Sequence, residues 1–376
     1  MRGGAATTWT GLLRRGYRAL PPGWQEPARE AYDAVSVRAT AVAERRRLFS
    51  SERILFVELE IADLAPYTAL APGADEVLID VQYTAVSVGT ELATFQGLLP
   101  RSFPYWPGYS GAGVVSATGS AVRTLQPGDR VAGQVKHAAR VITQADRVFK
   151  LGPRTSLRQA AFHQLCFISL GGIRRSAIRP GTSVAVIGQG IVGQLASRFA
   201  RIAGAVPLAA VAPTRRRQNV SLAPGGSDNF FLLDEAPRDS FDVVIESSGA
   251  SGSVRLACEL AAPAGTVVLL GGYRAPERAF PAEALWQEKH LRVVGAHMSA
   301  APDIDPRASL RPHRAEGAVI AELLDDGVLD LEPIITHCLP ASQANRVYEE
   351  LASDVLAPVG LLFSWRGASS EEQTAA

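Results

Sequence analysis

The strongest constraint on the fold is the stretch VAVIGQGIVG, in which the apolar run from Val184 to Ile187 leads directly into a glycine-rich turn. Gly188 permits a tight turn, Gly190 lets the backbone approach a pyrophosphate, and Gly193 lets the following helix pack closely on the strand. The N–H groups at the start of that helix would face the phosphates. We therefore predict a doubly wound, parallel-sheet α/β domain with a dinucleotide site, formed by Gly188, Gln189, Gly190, Ile191, Val192 and Gly193.

The end of the next apolar run indicates which dinucleotide this site prefers. An NAD site usually places Asp or Glu there, about 20 residues past the glycines, whereas PLAAVAPTRRRQ ends its apolar part at Ala212. Loss of the carboxylate removes repulsion toward a 2′-phosphate, which Arg side chains bind bidentately. We expect NADP(H), bound with help from Thr214, Arg215 and Arg216. NAD(H) is the alternative if these arginines are only the solvated start of a helix.

The apolar patterning divides the chain into segments. Short alternating apolar runs with frequent turns, typical of an antiparallel or barrel-like β domain, begin at Ser51, and helical and parallel-strand patterns follow Pro153. We predict an N-terminal helical extension at 1–50, with an unstructured tail as the alternative, and a disordered tail at 367–376. Between them we predict a β-rich domain at 51–160, an inserted α/β domain at 161–302, and a return to the first domain at 303–366.

Composition excludes several partners. The 376 residues are 47% hydrophobic and 20% charged with a net charge of +1, so no overall field favours nucleic acid or an anionic membrane. No run of 18 apolar residues is present, and the Arg-containing N-terminus lacks the apolar core of a signal peptide. We expect a cytoplasmic protein, with a transit peptide as the alternative. The three widely spaced cysteines are expected to be reduced and buried.

Six motifs, in order and spacing, carry a family resemblance: VSVGTEL, PGYSGAGVV, LQPGDRVAG, VAVIGQGIVGQ, VVIESSG and LDLEPIITH. From about Arg53 to Arg366 the chain resembles the medium-chain dehydrogenase/reductase superfamily, in its zinc alcohol and polyol dehydrogenase branch. The resemblance implies a Rossmann domain inserted in a GroES-like catalytic domain, an active site in the cleft between them, and a homodimer. It also implies that Gly271, Gly272 and Tyr273 pass under the nicotinamide, and that Ser248 lies near the cofactor.

The chain departs from this family at the zinc ligands. Val88 stands at the place of the catalytic Cys, Tyr109 at that of the ligand His, and Gln164 at that of the third ligand. The lobe with four cysteines is also missing, since GDRVAGQV continues directly into KHAARVI. Zinc needs three or four N, S or O donors, and Val, Tyr and Gln do not supply them. We therefore predict a protein without catalytic or structural zinc.

A site without zinc must polarise a carbonyl with hydrogen-bond donors and deliver a proton to its oxygen. Thr90 matches the family hydroxyl that contacts the substrate oxygen, and Tyr109 would place a phenol beside it. His163 would supply a second donor or the exit of a proton relay, and Glu91 would orient Tyr109, His163 or a sugar-like hydroxyl of the substrate. The alternatives are an aromatic wall for Tyr109 and an interior structural role for His163. We read His137, His297 and His337 mainly as structural or cofactor-side residues.

These observations predict a zinc-independent, NADP(H)-preferring oxidoreductase. It would move hydride between the nicotinamide and a secondary alcohol or ketone on a polar small molecule, such as a cyclitol, a sugar or a natural-product intermediate. An enoyl reductase that acts on an activated C=C bond is one alternative. A non-catalytic NADP(H)-binding protein is the other, because loss of metal ligands can accompany loss of activity.

Overall fold

The computed structural model describes residues 51–58, 61–67, 71–99, 101–272, 288–296 and 313–365. The predicted helical extension at 1–50, the C-terminal tail and the predicted cofactor residue Tyr273 lie outside these ranges. Within the described ranges, no helix is long and apolar enough to cross a lipid bilayer.

The described part of the chain forms strands and helices in alternating blocks. The strands are β1 Ser51–Glu58, β2 Ile61–Tyr67, β3 Glu76–Ala85, β4 Gly111–Thr118, β5 Arg130–Gly133, β6 Arg140–Gln144, β7 Val148–Lys150, β8 Val184–Ile187, β9 Leu208–Ala212, β10 Asn229–Leu232, β11 Phe241–Glu246, β12 Ala261–Leu269, β13 Arg292–Gly295, β14 Ile335–Pro340 and β15 Gly360–Ser364. The helices are α1 Val88–Phe95, α2 Leu157–Ala160, α3 His163–Ser176, α4 Ile191–Ile202, α5 Gln218–Ser221, α6 Ser253–Leu260, α7 His313–Asp325 and α8 Ala344–Ala352.

One sheet joins the two ends of the described chain. Its strand order is β14-β15-β3-β4-β5-β7, with β6 paired to β3, and β15 lies antiparallel to β3. The C-terminal strands therefore return to the β-rich domain that begins the described chain, as an inserted α/β domain requires. A separate two-stranded sheet is formed by β1 and β2.

The second sheet has the order β10-β9-β8-β11-β12-β13, and all of its pairs are parallel. The chain runs outward from β8 in one direction and then crosses to β11 on its other side, so the sheet has a switch point beside β8. All four residues of β8 are buried, as expected for a central parallel strand covered on both faces. This confirms the predicted doubly wound domain.

Two apolar segments change conformation within their length, and one prediction is corrected. In EVLIDVQYTAVSV, strand β3 ends at Ala85 and helix α1 begins at Val88. The segment SLRQAAFHQLCFISLGGIRRSA forms the two helices α2 and α3. Of the three free cysteines, Cys338 is exposed on the edge strand β14, whereas burial was predicted for all of them.

Candidate active site

The three positions that the resemblance relates to zinc ligands, Val88, Tyr109 and Gln164, are linked through their neighbours in sequence. The Tyr109 hydroxyl donates a hydrogen bond of 2.6 Å to Ser87 Oγ, immediately before Val88. The Ser110 hydroxyl donates to the Ala161 carbonyl at 2.6 Å and accepts the backbone N–H of Gln164 at 3.1 Å. The segment around Tyr109 therefore connects the start of α1 with the start of α3.

Helix α1 presents Thr90 and Glu91 in opposite environments. Ser87 stands just before the first turn, and its backbone N–H donates to Glu91 Oε1 at 2.8 Å. An acidic side chain in the first turn also compensates the unpaired N–H groups and the positive end of the helix. Glu91 is buried and Thr90 is exposed, so the Thr90 hydroxyl remains accessible to a bound molecule.

The buried carboxylate of Glu91 has two further donors. Its Oε2 lies 3.0 Å from His137 Nε2 and accepts a bond of 2.5 Å from the Tyr348 hydroxyl. Burial by itself would raise the Glu91 pKa, but the attraction of His137 and the hydrogen bonds from His137, Tyr348 and Ser87 hold it below its ordinary value. Glu91 is therefore charged and hydrogen-bonded at both carboxylate oxygens, and it does not act as a proton donor.

The hydrogen-bonded network of Glu91 continues on the other side of the His137 ring. The Trp365 indole donates to Thr84 Oγ1 at 2.9 Å, and Thr84 Oγ1 lies 2.7 Å from His137 Nδ1. Thr84 Oγ1 therefore contacts both the Trp365 indole and one ring nitrogen of His137, while the other ring nitrogen of His137 faces Glu91. Each polar atom of this hydrogen-bonded network has a partner, which favours one fixed arrangement of these buried groups.

Burial controls the protonation of Tyr109. It raises the pKa of the phenol to about 12, an effect that the Ser87 hydrogen bond opposes and the negative charge of Glu91 reinforces. At neutral pH the Tyr109 hydroxyl therefore keeps its proton. It is suited to donate a hydrogen bond to a developing negative oxygen. In the reverse direction, alcohol oxidation, the protonated phenol does not serve as a general base.

Three residues of this site escaped the sequence analysis or were given another role. Ser87 and Tyr348 were not singled out, and His137 was read mainly as structural or cofactor-side. Their contacts with Tyr109 and Glu91 cross up to 257 positions of sequence, in the case of Tyr348. For Ser87 alone a sequence signal exists, because it lies within the motif VSVGTEL that contains Thr90 and Glu91.

The structure does not bring His163 to this group. Its Nε2 lies 2.8 Å from the Gly317 carbonyl of helix α7, and its ring stacks on Phe149 at 4.8 Å between centroids. His163 is fully buried among these neighbours. Glu91 likewise orients neither His163 nor Tyr109 directly, because its donors are Ser87, His137 and Tyr348.

The donor set does not fit a zinc ion. Val88 has an aliphatic side chain, Tyr109 holds its proton, and Gln164 offers at most a neutral amide. Glu91 and His137 bond to each other and to neutral donors. Over the described ranges, no group of three or more His, Cys, Asp or Glu side chains is placed to hold a metal ion.

The glycine-rich turn after β8 has the shape that a dinucleotide needs. Gly188 has φ +90°, and a Cβ on Gly193 would lie 1.9 Å from the Gly188 carbonyl oxygen, so helix α4 packs directly on the turn. A Cβ on Gly190 would meet nothing closer than Arg217 Nη1 at 3.6 Å. The space over Gly190 is open, as the close passage of a pyrophosphate would require.

Side chains of the turn and of the first residues of α4 pack into the interior. Gln189 is buried, donates to the Val186 carbonyl at 2.8 Å, and accepts from Gln194 at 3.0 Å. Ile191 and Val192 begin α4 and pack with the core. These contacts fix the turn without using the backbone groups that would contact phosphates.

A second loop is fixed at the adjacent strand end. The buried Glu246 carboxylate, at the end of β11, accepts the N–H groups of Ser248 and Gly249 at 2.7 and 3.0 Å. Gly271 packs on this loop, because a Cβ there would lie 2.7 Å from the Gly249 nitrogen. Ser248, Gly271 and the exposed Gly272 thus lie at the same edge of the sheet as the glycine-rich turn.

The arginines that follow β9 differ in their partners. Arg215 pairs with both oxygens of Glu235 at 2.6 and 2.8 Å, and Arg216 pairs with Asp354 at 3.0 Å. Arg217 donates to the Pro358 carbonyl at 3.0 Å, and burial lowers its pKa. Arg217 therefore lies nearest to Gly190, although the sequence analysis chose Thr214, Arg215 and Arg216.

Comparison with known proteins agrees with this architecture. Residues 73–187 match the alcohol dehydrogenase GroES-like domain. The chain is 27% identical over 305 residues to 2-desacetyl-2-hydroxyethyl bacteriochlorophyllide A dehydrogenase of Rhodobacter capsulatus, covering 75% of this chain and 88% of the relative. It is 23% identical over 322 residues to 2-dehydro-3-deoxy-L-galactonate 5-dehydrogenase of Pseudoalteromonas atlantica, covering 75% and 90%.

A solved structure shows the same fold. It is described as a candidate zinc-binding dehydrogenase from Sinorhizobium meliloti bound to NADP. The two structures superpose with a TM-score of 0.73 at 21% identity, covering 84% of this chain and 99% of the other.

Proposed function

We propose that this chain, which belongs to the medium-chain dehydrogenase/reductase superfamily, is a zinc-independent oxidoreductase that prefers NADP(H). Its reaction moves hydride between the nicotinamide and a secondary alcohol or ketone on a polar small molecule. The curated relatives named above, both dehydrogenases and one of them of a sugar acid, support the reaction class.

The observation that carries this proposal is the neutral phenol at the place of a metal ligand. Tyr109 is fixed by Ser87, lies in the field of the Glu91 carboxylate and keeps its proton up to a pKa of about 12. A preorganised donor aimed at a developing oxyanion lowers the barrier by several kcal/mol, on the order of 3. A zinc ion would otherwise supply this stabilisation.

The residues of the site then have separate roles in ketone reduction. NADPH, when bound, supplies the hydride to the carbonyl carbon. The Tyr109 hydroxyl turns from Ser87 Oγ to the substrate oxygen, stabilises its growing charge and gives it a proton. The accessible Thr90 hydroxyl is the second donor, and it returns a proton from solvent to the Tyr109 oxygen. Because the phenolate of Tyr109 is a strong base, its reprotonation is favourable and the arrangement suits reduction.

Activity assays separate this reaction from its competitors. Purified protein is incubated with NADPH and either a ketone panel or an enone panel, and nicotinamide absorbance is followed. We expect oxidation of NADPH with ketones. Oxidation with enones alone would indicate an enoyl reductase, and binding of NADPH without turnover in either panel would indicate a non-catalytic protein.

Metal analysis tests the zinc-independent part of the proposal. We expect less than stoichiometric zinc in the active, purified protein, and unchanged turnover after treatment with a chelator. One zinc per chain, together with loss of activity on chelation, would contradict it.

Cofactor preference is tested at the arginines after β9. Arg215→Ala, Arg216→Ala and Arg217→Ala are compared with Arg238→Ala, whose ion pair with Glu259 lies away from the glycine-rich turn. Because a charge-assisted bond to a phosphate contributes roughly 1.5–3 kcal/mol, at least one of the three should lose about tenfold of the NADPH over NADH preference. A wild-type preference for NADH, or a preference that none of the three changes, would exclude an NADP(H) site here.

A further inference from the structure

A cluster of cations and aromatic rings lies beside the candidate active site. The guanidinium carbon of Arg53 lies 5.2 Å from the centre of the Trp106 ring. The ring of Tyr105 has two cations near it, since Arg101 Cζ lies 5.9 Å and Lys136 Nζ 5.6 Å from its centroid. Both distances are within the range of a cation–π interaction.

Backbone contacts fix this cluster to the rest of the site. Tyr105 exchanges two hydrogen bonds of 2.9 Å with Phe56, and the Trp106 indole donates to the His137 carbonyl at 3.1 Å. Lys136 Nζ donates to the Trp106 carbonyl at 2.9 Å. His137 follows Lys136 in sequence and contacts Glu91, so His137 links the cluster to the buried Glu91 network.

Lys136 differs from the other two lysines of the chain. Lys150 pairs with Asp129 at 2.7 Å and Lys289 with Asp239 at 2.5 Å, whereas over the described ranges no carboxylate forms an ion pair with Lys136. The negative charge that acts on Lys136 is that of Glu91, and this carboxylate is already bound by three donors. The half-buried Lys136 ammonium thus donates to a backbone carbonyl but forms no ion pair with a carboxylate of the described ranges.

The surroundings of Lys136 disfavour its charge. Burial lowers the Lys136 pKa first, Glu91 opposes this effect, and the like charge of Arg101 adds to the lowering. An anion that binds close to both cations would relieve this repulsion and stabilise the charge of Lys136.

We propose that Lys136 and Arg101, which both lie near the ring of Tyr105, bind an anionic group, a carboxylate or a phosphate, on the substrate that Tyr109 polarises. This inference rests on the proposed function, because it names the residues that bind the part of the same substrate away from its reacting carbonyl. Lys136 serves as a point charge, Arg101 as a planar donor, and Tyr105 as an apolar wall. The connecting carbon chain would lie along the segment from Tyr105 to Tyr109.

The test uses two pairs of ketones that differ in charge. Levulinate is compared with methyl levulinate, and dihydroxyacetone phosphate with dihydroxyacetone. Dissociation constants are measured by calorimetry on the full chain saturated with NADP⁺, and kcat/KM is measured with NADPH. The variants are Lys136→Gln, Arg101→Gln and the charge-conserving Lys136→Arg, with Lys150→Gln as the matched control. Thermal melting and NADPH affinity show that each variant is folded.

For the wild type we expect one anionic probe to bind at least about tenfold more tightly than its neutral counterpart. The preference should fall to less than about threefold in Lys136→Gln and Arg101→Gln, and persist in Lys136→Arg and Lys150→Gln. The pair that shows the larger preference distinguishes a carboxylate from a phosphate. Equal binding of charged and neutral probes, failure of both anions to bind at millimolar concentration, or a preference that Lys136→Gln leaves unchanged would overturn the inference.

Failure of the inference and failure of the proposed function give different results. Anion preference in binding without NADPH oxidation by any ketone would support the anion site and reject the oxidoreductase. Ketone reduction without anion preference would support the oxidoreductase and reject the anion site.

Discussion

At the scale of single residues, the proton of Tyr109 is the property on which the proposed chemistry depends. We expect Tyr109→Phe to lower kcat/KM for ketone reduction by about 10²–10³-fold, the usual loss when one donor to an oxyanion is removed. The dissociation constant of NADPH should not change, because Tyr109 contacts Ser87 on the catalytic domain. Steady-state kinetics and a fluorescence titration with NADPH measure the two effects. Unchanged turnover would make Tyr109 an aromatic wall and leave Thr90 as the donor.

The pH dependence of reduction follows from the same residue. Burial raises the Tyr109 pKa from 10.0 to about 12, so its donor form is present at all pH values below that. The pH profile of kcat/KM for the wild type should therefore show no loss from tyrosine ionisation between about pH 9 and 11. The raised value also means that the stability linked to this proton is full below pH 10 and is lost as the pH rises toward 12. A decline centred near pH 10 that disappears in Tyr109→Phe would contradict this assignment.

At the scale of elements, two glycines of the turn between β8 and α4 are expected to serve different purposes. Gly193 allows helix α4 to pack on the turn, and Gly190 allows the cofactor to bind. Gly193→Ala places a Cβ 1.9 Å from the Gly188 carbonyl oxygen, whereas the nearest atom to a Cβ at Gly190 is Arg217 Nη1 at 3.6 Å, an ordinary van der Waals distance. We expect Gly193→Ala to lose several degrees of melting temperature together with NADPH binding. Gly190→Ala should keep the wild-type melting temperature and bind NADPH at least about tenfold more weakly, because its methyl group occupies the path of the pyrophosphate.

Thermal melting without cofactor, followed by titration with NADPH, measures both glycine variants. Gly190→Ala with wild-type NADPH affinity would show that the cofactor does not pass over this turn. Equal melting temperatures for Gly193→Ala and the wild type would show that the close packing of α4 is not required.

At the scale of the whole molecule, the Glu91 network ties the C-terminal segments to the first domain. Tyr348 on α8 donates to Glu91, and Trp365 after β15 donates to Thr84 on β3. We expect Tyr348→Phe to lower the free energy of unfolding by about 1–3 kcal/mol at pH 7, since a buried carboxylate loses a donor. Urea unfolding measures this change.

The pH dependence of the stability difference between Tyr348→Phe and the wild type is a control for that prediction. Because the Glu91 pKa in the folded protein lies below its ordinary value of 4.5, its stabilising charge is fully present above pH 4.5 and is lost as the pH falls further. The difference between Tyr348→Phe and the wild type should therefore shrink as the pH falls through the lowered pKa of Glu91 in the folded protein, below 4.5. A difference that does not shrink at any pH between 4.5 and the acid unfolding of the wild type would mean that packing, and not the charge of Glu91, makes Tyr348 important.

The predicted homodimer and the predicted cytoplasmic location remain predictions. The structure describes a single chain.

Local sequence determined those features that depend on neighbours along the chain. The buried run of β8, its turn at Gly188 and the spacing to Gly193 are contiguous, so period and residue type were enough to predict the α/β domain. The replacement of zinc ligands by Val88, Tyr109 and Gln164 stays a prediction that the family resemblance implies.

Only the tertiary structure decided which side chains work together. His163 was predicted beside Tyr109, but helix α3 turns its ring toward Phe149 and Gly317. Glu91 instead meets His137 and Tyr348, which are 46 and 257 positions away in sequence. Sequence periodicity gives the face on which a side chain lies, whereas hydrogen-bond partners depend on how distant strands and helices pack, and that packing brought these groups into one buried network.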